Sequence, residues 1–296
     1  MRLVDIIINN DKSIKKKDFY KLLNEQLANL RTDHLDFYLL YSLDIKRFND
    51  MVELGVFYFF NEIKEKGFVK HVGFSFHDEY SSFEKIIKSY SWDFCQMQLN
   101  YLDINYQAGL KGYKLAKDME IPVIIMEPIK GGRLAKPPEE IVALLKDFTD
   151  LSPAQEALKF PLSLDNVMTV LSGMNDINQV KENLDMASSV DCNSLSKEDI
   201  NFYQARQIYK SKEQIGCTAC EYCLPCTVDI NIPKVFSLWN NAYLYDESKK
   251  SKVQYKDYLK ESVNPIECIE CGKCEGICPQ NLEIIEGLQK ANEFLS

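Results

Sequence analysis

Leu35-Asp-Phe-Tyr-Leu-Leu-Tyr-Ser-Leu43 is a short apolar and aromatic run. The residues before it place apolar side chains at Phe19, Leu22, Leu23, Leu27 and Leu30, the spacing of one helical face. The order is therefore helix, then buried strand. It recurs downstream: Val52, Val56, Phe59, Phe60 and Ile63 mark a second helical face that Gly67 stops, and His71-Val-Gly-Phe-Ser-Phe76 reads as the next strand. Phe83, Ile86 and Ile87 then precede a strand at Phe94 to Leu99. Gln107 to Met119 reads as helix, Pro122-Val-Ile-Ile-Met126 as a strand buried on both faces, and Val167 to Leu171 as a fifth strand. Further helices are expected over Glu139 to Lys146, Pro153 to Lys159, Asn178 to Ala187 and Lys197 to Lys210.

Five strands alternating with helices predict a parallel sheet with right-handed crossovers. A doubly wound sheet and a (β/α)8 barrel both satisfy that pattern. The Gly-x-Gly-x-x-Gly turn of a dinucleotide-binding sheet does not occur, Gly131-Gly132 being only a glycine pair in a loop. Periodicity alone leaves the two architectures open.

The chain has 296 residues, 46% hydrophobic and 27% charged, which excludes disordered and collagen-like classes. Its net charge of −9 argues against nucleic acid or an anionic membrane as partner, and Lys15-Lys16-Lys17 reads as a solvated helix start. Leu3 to Ile8 is far shorter than the roughly 18 apolar residues of a membrane span. A cytoplasmic location is the expectation. There, closely spaced cysteines hold metal more readily than they form disulfides.

Ten cysteines are present and eight fall in the last 80 residues. They read Cys217-x2-Cys220-x2-Cys223-x2-Cys226 and, after 41 residues, Cys268-x2-Cys271-x2-Cys274-x3-Cys278-Pro279. The second run has the spacing of bacterial ferredoxins. Two intervening residues let one tight loop deliver three thiolates to three irons of a cubane, and the fourth thiolate must come from elsewhere. In two-cluster ferredoxins it comes from the other run. The expectation is thus one [4Fe-4S] cluster on Cys217, Cys220, Cys223 and Cys278, and a second on Cys268, Cys271, Cys274 and Cys226. The first run departs from the pattern with x2 before Cys226 and with Thr227 where proline is usual. Zinc is the competing reading, since paired Cys-x2-Cys units also make tetrahedral sites. Ile266, Ile269 and Ile277 are expected to shield a cluster. Ile232 to Tyr245 and Lys249 to Lys260 read as helices, with Val235, Phe236, Leu238 and Trp239 on an apolar face. The acidic tail favours low reduction potentials.

The chain resembles the aldo/keto reductases, in particular the branch with an iron–sulfur tail. The resemblance rests on Leu35 to Leu43, Val72-Gly-Phe-Ser-Phe-His-Asp78, Cys95-Gln-Met-Gln-Leu-Asn-Tyr101, Met126-Glu-Pro-Ile-Lys-Gly-Gly132 and Leu171-Ser-Gly-Met174 followed by Glu182-Asn183. It implies an α/β fold, an incomplete (β/α)8 TIM barrel of strands four to eight followed by an α-helical ferredoxin domain. The expected division is 1–211 and 212–296. The family's catalytic aspartate, tyrosine and lysine precede strand four, for which this sequence has no counterpart, and Tyr41 stands at the family's histidine position. The resemblance implies NAD(P) contacts at Ser75 and Gln96 on the nicotinamide carboxamide, with Met126 at the ring-stacking position. Phe76 stands where the resemblance expects an asparagine after the serine, and Gly173 and Gln179 replace the basic residues that grip the adenosine 2′-phosphate, so a preference for NADP over NAD has no support.

Barrel enzymes place chemistry at the C-terminal ends of strands, which singles out Tyr41, Ser75, His77, Asp78, Gln96, Asn100 and Glu127. His77 beside Asp78 reads either as an acid/base pair or as a loop pair bonded to backbone. His34, His71, Cys95 and Cys192 read as structural. The functional expectation is an iron–sulfur oxidoreductase exchanging electrons with a redox protein or small molecule. The alternatives are a non-enzymatic electron carrier or docking protein, or a truncated gene product. Open barrel edges predict self-association.

Overall fold

The computed structural model describes residues 3–6, 16–191, 200–278 and 280–296. Two compact units divide the chain: Met1–Leu134 with Ala154–Lys197, and Ala135–Pro153 with Glu198–Ser296.

The first unit is built on a parallel sheet of six strands: β1 (Leu3–Ile6), β2 (Leu35–Leu43), β3 (Val69–Phe76), β4 (Phe94–Gln98), β5 (Val123–Met126) and β6 (Val167–Val170). They follow one another in sequence order, each paired with the next. The helices of this unit are α1 (Lys16–Leu30), α2 (Ile45–Glu53), α3 (Val56–Glu65), α4 (Tyr80–Ile87), α5 (Gly109–Asp118), α7 (Pro153–Leu162) and α8 (Ile177–Ser189). All five expected strands are present, and β1 is an addition: Leu3 to Ile6 pairs with Phe37 to Leu40. The expected arc therefore gains a strand at its N-terminal edge. Four residues are too few to display a strand period.

Successive side chains on a strand point to opposite faces, and the sheet is buried on both. Leu39, Phe94 and Ile124 form one cluster, with Phe37 and Leu171 against it. Gly73 sits under Phe94, where a Cβ would meet the Phe94 ring at 2.7 Å and its carbonyl at 2.6 Å. The next residue, Phe74, turns the other way, its ring 4.9 Å from Trp92 and 5.9 Å from Phe83. Every residue of β4 is buried, as a two-faced strand requires.

The second unit contains α6 (Glu139–Lys146), α9 (Ile200–Lys212), α10 (Ile232–Leu244), α11 (Ser248–Tyr258), α12 (Lys273–Ile277) and α13 (Ile284–Leu295). Its first boundary differs from the expected 211/212 division. Helix α9 packs against both α6 and α10, and Lys212 lies 3.5 Å from Glu140 and 3.6 Å from Asp246. These contacts draw α6 and α9 to the cysteine-rich part. The core is Ile230, Ile232, Val235, Phe236, Leu238, Trp239, Tyr255, Ile284, Leu288, Ala291 and Leu295. Cys192, Pro279 and the first residues of the expected Lys197 to Lys210 helix lie outside the described residues. No helix among the described residues is long and apolar enough to cross a membrane.

Candidate functional site

The two cysteine runs fold into the same local structure. Ala219 and Glu221, on either side of Cys220, have φ of 54° and 64°, and Glu270 and Gly272, on either side of Cys271, have φ of 53° and 70°. Left-handed backbone costs a non-glycine residue about 1–2 kcal/mol, so three such residues persist only because the loop demands it. Curled backbone of this kind gathers N–H groups into a concavity suited to anions, iron–sulfur sites included. The match extends past the fourth cysteine of each run. Asp229 and Asn281 are left-handed, and their amides donate to the carbonyls of Cys226 and Cys278, both at 3.1 Å. Helices α10 and α13 then begin six residues after those cysteines. The extra residue before Cys278 leaves the following turn unchanged.

This repeat crosses the cysteines between runs. One pocket is lined by Cys217, Cys220, Cys223 and Cys278, with Ile232, Phe236 and Leu282 around them. A second is lined by Cys226, Cys268, Cys271 and Cys274, with Tyr222, Cys223 and Ile232 shared between the two. Both sets of four expected from the spacing are thereby brought together. Six of the eight cysteines are partly buried against the core, and the middle one of each run, Cys220 and Cys271, is exposed. Among the described residues no three His, Cys, Asp or Glu side chains group closely enough to hold a single metal ion.

The isoleucines expected to shield a cluster are largely exposed. Ile266, Ile269 and Ile277 are 75%, 58% and 57% exposed. Ile269 and Ile277 nonetheless border the second pocket. Burial, above all, pushes the Cys223 thiol up to about 11, with the charges of Cys217, Cys220 and Cys274 adding to it. Burial likewise raises Cys217 and Cys274, each opposed by a backbone amide, that of Ala219 or of Glu275. Cys271 moves the other way: the Thr227 hydroxyl first, then the Lys273 amide, favour its thiolate. Bound metal supplies the positive charge that keeps buried sulfurs deprotonated.

Asn240 of α10 anchors the approach to Cys217. Its Oδ1 accepts from the amides of Gln214 (2.9 Å) and Ile215 (3.1 Å), and its Nδ2 donates to the Ile215 carbonyl (2.8 Å). Asn240→Ala leaves three backbone groups without their partner, and the second unit is expected to lose about 2–4 kcal/mol. Denaturant unfolding of anaerobically purified protein measures this. Asn240→Asp, which keeps both acceptor bonds, should lose less, and equal losses would contradict the anchoring role.

At the C-terminal edge of the sheet, β2 bulges between Leu40 and Leu43. Ser42 is left-handed with φ 52°, its amide donates to Ser75 Oγ at 2.7 Å, and Tyr41 is 45% exposed. Ser75 is the strand partner of Gln96. Gln96 Nε2 lies 3.7 Å from Met126 Sδ, and its buried Oε1 has no partner among the described residues. Asp78 accepts from the amides of Ile45 (3.0 Å) and Glu79 (2.7 Å), the backbone-bonded loop arrangement. Burial lowers the His77 pKa, with Arg47 adding to the effect and Glu127 opposing it. Asn100 is fully buried and donates to Asp103 and the Glu127 carbonyl, both at 3.1 Å, and Lys130 pairs with Asp103 at 2.5 Å.

Residues 6–204 match the aldo/keto reductase family. The chain belongs to the aldo/keto reductase family. Residues 216–283 match the 4Fe-4S dicluster domain, so an aldo/keto reductase segment is followed by an iron–sulfur one. The uncharacterized oxidoreductase YqkF of Bacillus subtilis is 24% identical over 219 residues, 64% of this chain. The chain spans 66% of that relative's length, just under two thirds. Among solved structures, the aldo-keto reductase AKR11C1 from Bacillus halodurans in its holo form superposes with a TM-score of 0.56 at 22% identity, covering 69% of this chain and 71% of that one. Gox0644 in its apo form gives 0.52 at 20% identity, covering 68% of each. These structural likenesses support the α/β fold with its parallel sheet.

Of the positions that aldo/keto reductase resemblance singled out, Ser75, Gln96 and Met126 lie together at the sheet edge. Tyr41 lies outside them on the bulge. His34 precedes β2 and bonds Asp33 at 2.7 Å, His71 stacks on Phe37 at 5.0 Å, and Cys95 is buried in β4. Sequence reasoning missed the Asp103–Lys130 pair, Arg47 and Asn240. The Asn100-Tyr-Leu-Asp103 turn offered the one local signal, since asparagine side chains cap their own downstream amides.

Proposed function

We propose that this protein is an iron–sulfur oxidoreductase of the aldo/keto reductase family, holding two [4Fe-4S] clusters on crossed cysteine sets. Cys217, Cys220, Cys223 and Cys278 hold one, and Cys226, Cys268, Cys271 and Cys274 hold the other. The observation that carries this reading is that all four cysteines of each crossed set line a common pocket, Cys223 bordering both. When bound, each cluster accepts or gives one electron. Phe236, Ile232 and Leu282 keep water from the first set, and the curled loops aim backbone amides at the sulfurs. This domain division, an aldo/keto reductase part and a ferredoxin-type part, takes Cys217 as the first functional residue of the latter.

The sheet is read as an arc of the family's barrel, with β1 and β6 as the edges where further strands or a second copy add. The buried, unpartnered Gln96 Oε1 suits the carboxamide of a nicotinamide, so NAD(P) fits that side of the site. A second reading, an electron carrier without carbonyl chemistry, is favoured by Ser75, whose hydroxyl already serves Ser42. The two separate in one assay on anaerobically purified protein. Oxidation of NAD(P)H that depends on an added aldehyde or quinone supports the enzyme. Reversible cluster reduction by dithionite with no nucleotide binding supports the carrier, and protein that does neither contradicts both.

A further inference from the structure

The two cysteine runs share a backbone but differ at the residue after the crossing cysteine. After Cys278 stands Pro279, which has no side-chain donor, and after Cys226 stands Thr227. The Thr227 hydroxyl lies 3.4 Å from Cys271 Sγ, across 44 residues of sequence. A sulfur bound to iron is a thiolate and has no proton to give, so the hydroxyl is the donor. Among the described residues, no other of the eight sulfurs accepts from a side-chain hydroxyl. Thr227 therefore touches one of the two sites and leaves the other untouched.

We propose that Thr227 is a positioning residue that raises the reduction potential of the cluster on Cys226, Cys268, Cys271 and Cys274 above that of its neighbour. The proposal rests on the crossed ligand assignment above. A hydrogen bond to a ligand sulfur withdraws negative charge from the cluster and so stabilises the reduced, more negative state. The electron then resides preferentially in the second pocket, the one bordered by exposed Cys271, Ile269 and Ile277. Reduction adds one electron to the cluster from a one-electron donor, with no bond made or broken and no proton required.

The test is a potentiometric titration of anaerobically reconstituted full-length protein, with dithionite as the one-electron reductant and electron paramagnetic resonance as readout. Thr227→Val removes the hydroxyl at nearly constant shape, and Thr227→Ser keeps it. Thr227 and Cys271 are both exposed, so water replaces part of the lost bond. The expected change is threefold to tenfold in one reduction equilibrium, about 28–59 mV for one electron, toward more negative potential. The other potential stays in place, and Thr227→Ser restores the first. If Thr227→Val fails to retain both clusters, Thr227→Ala is read in the same way. Unmoved potentials in a variant with full iron and sulfide overturn the proposal, as does an equal shift of both. Wild-type protein that holds no iron and sulfide overturns the ligand assignment as well, which separates the two failures.

Discussion

Cys226→Ala is expected to lose one cluster and keep the other, so that iron falls from about eight to about four per chain. Cys226 closes the first run in sequence, yet in the structure it stands with Cys268, Cys271 and Cys274. Three thiolates from one loop satisfy three irons of a cubane, and removal of the fourth exposes the last iron to water and oxidant. Under the proposed assignment the surviving cluster is the one on Cys217, Cys220, Cys223 and Cys278, which line the other pocket. Cys226 also packs against the core of the second unit, so the loss carries a cost in stability on top of the lost metal. Iron and acid-labile sulfide analysis reads the outcome. Retention of about eight irons would show that Cys226 is no ligand.

The second large effect is expected from Phe236→Ala. Phe236 is fully buried, belongs to the core of the second unit and lines the pocket of Cys217, Cys220, Cys223 and Cys278. Gly287 of α13 makes room for it, since a Cβ there would stand 3.0 Å from the Phe236 ring and 2.8 Å from Ile215. Two helices thus close on one ring directly behind a cluster site. Truncation of a buried phenylalanine costs about 3–5 kcal/mol, a large share of the roughly 5–15 kcal/mol that stabilises a domain. The cavity also admits water to one pocket and leaves the second intact. The variant is therefore expected to unfold at markedly lower denaturant concentration and to lose one cluster faster in air. A loss under about 1 kcal/mol, or equal oxidation of both clusters, would contradict this packing.

Much of the architecture is legible in residue patterning, because apolar periodicity reports burial directly. The runs at Leu35–Leu43 and Phe94–Gln98 and the Glu139–Lys146 helix stand where the pattern puts them. What escapes it is pairing between distant segments. Leu3–Ile6 becomes a strand by lying along Phe37 to Leu40, and α6 joins the cysteine-rich unit through its packing on α9. The two cysteine runs are legible because cluster chemistry fixes the spacing within each. The repeat that delivers them is less so, since three of its left-handed positions, Ala219, Glu221 and Glu270, are residue types that do not advertise such backbone. Asp229, Asn281 and Gly272 hint at it. The exposure of Ile269 and Ile277 follows from the same limit: an apolar residue beside a motif says nothing of which way its loop faces.

The most direct test of the crossed site is the iron and acid-labile sulfide content of the double variant Cys226→Ala/Cys271→Ala, purified without oxygen. The two cysteines lie in different runs but in one pocket. Crossed ligation predicts that the double variant keeps one whole cluster, about four irons and four sulfides per chain. Loss of both clusters, the result expected if each run held its own, or bound zinc with no sulfide, would contradict the account.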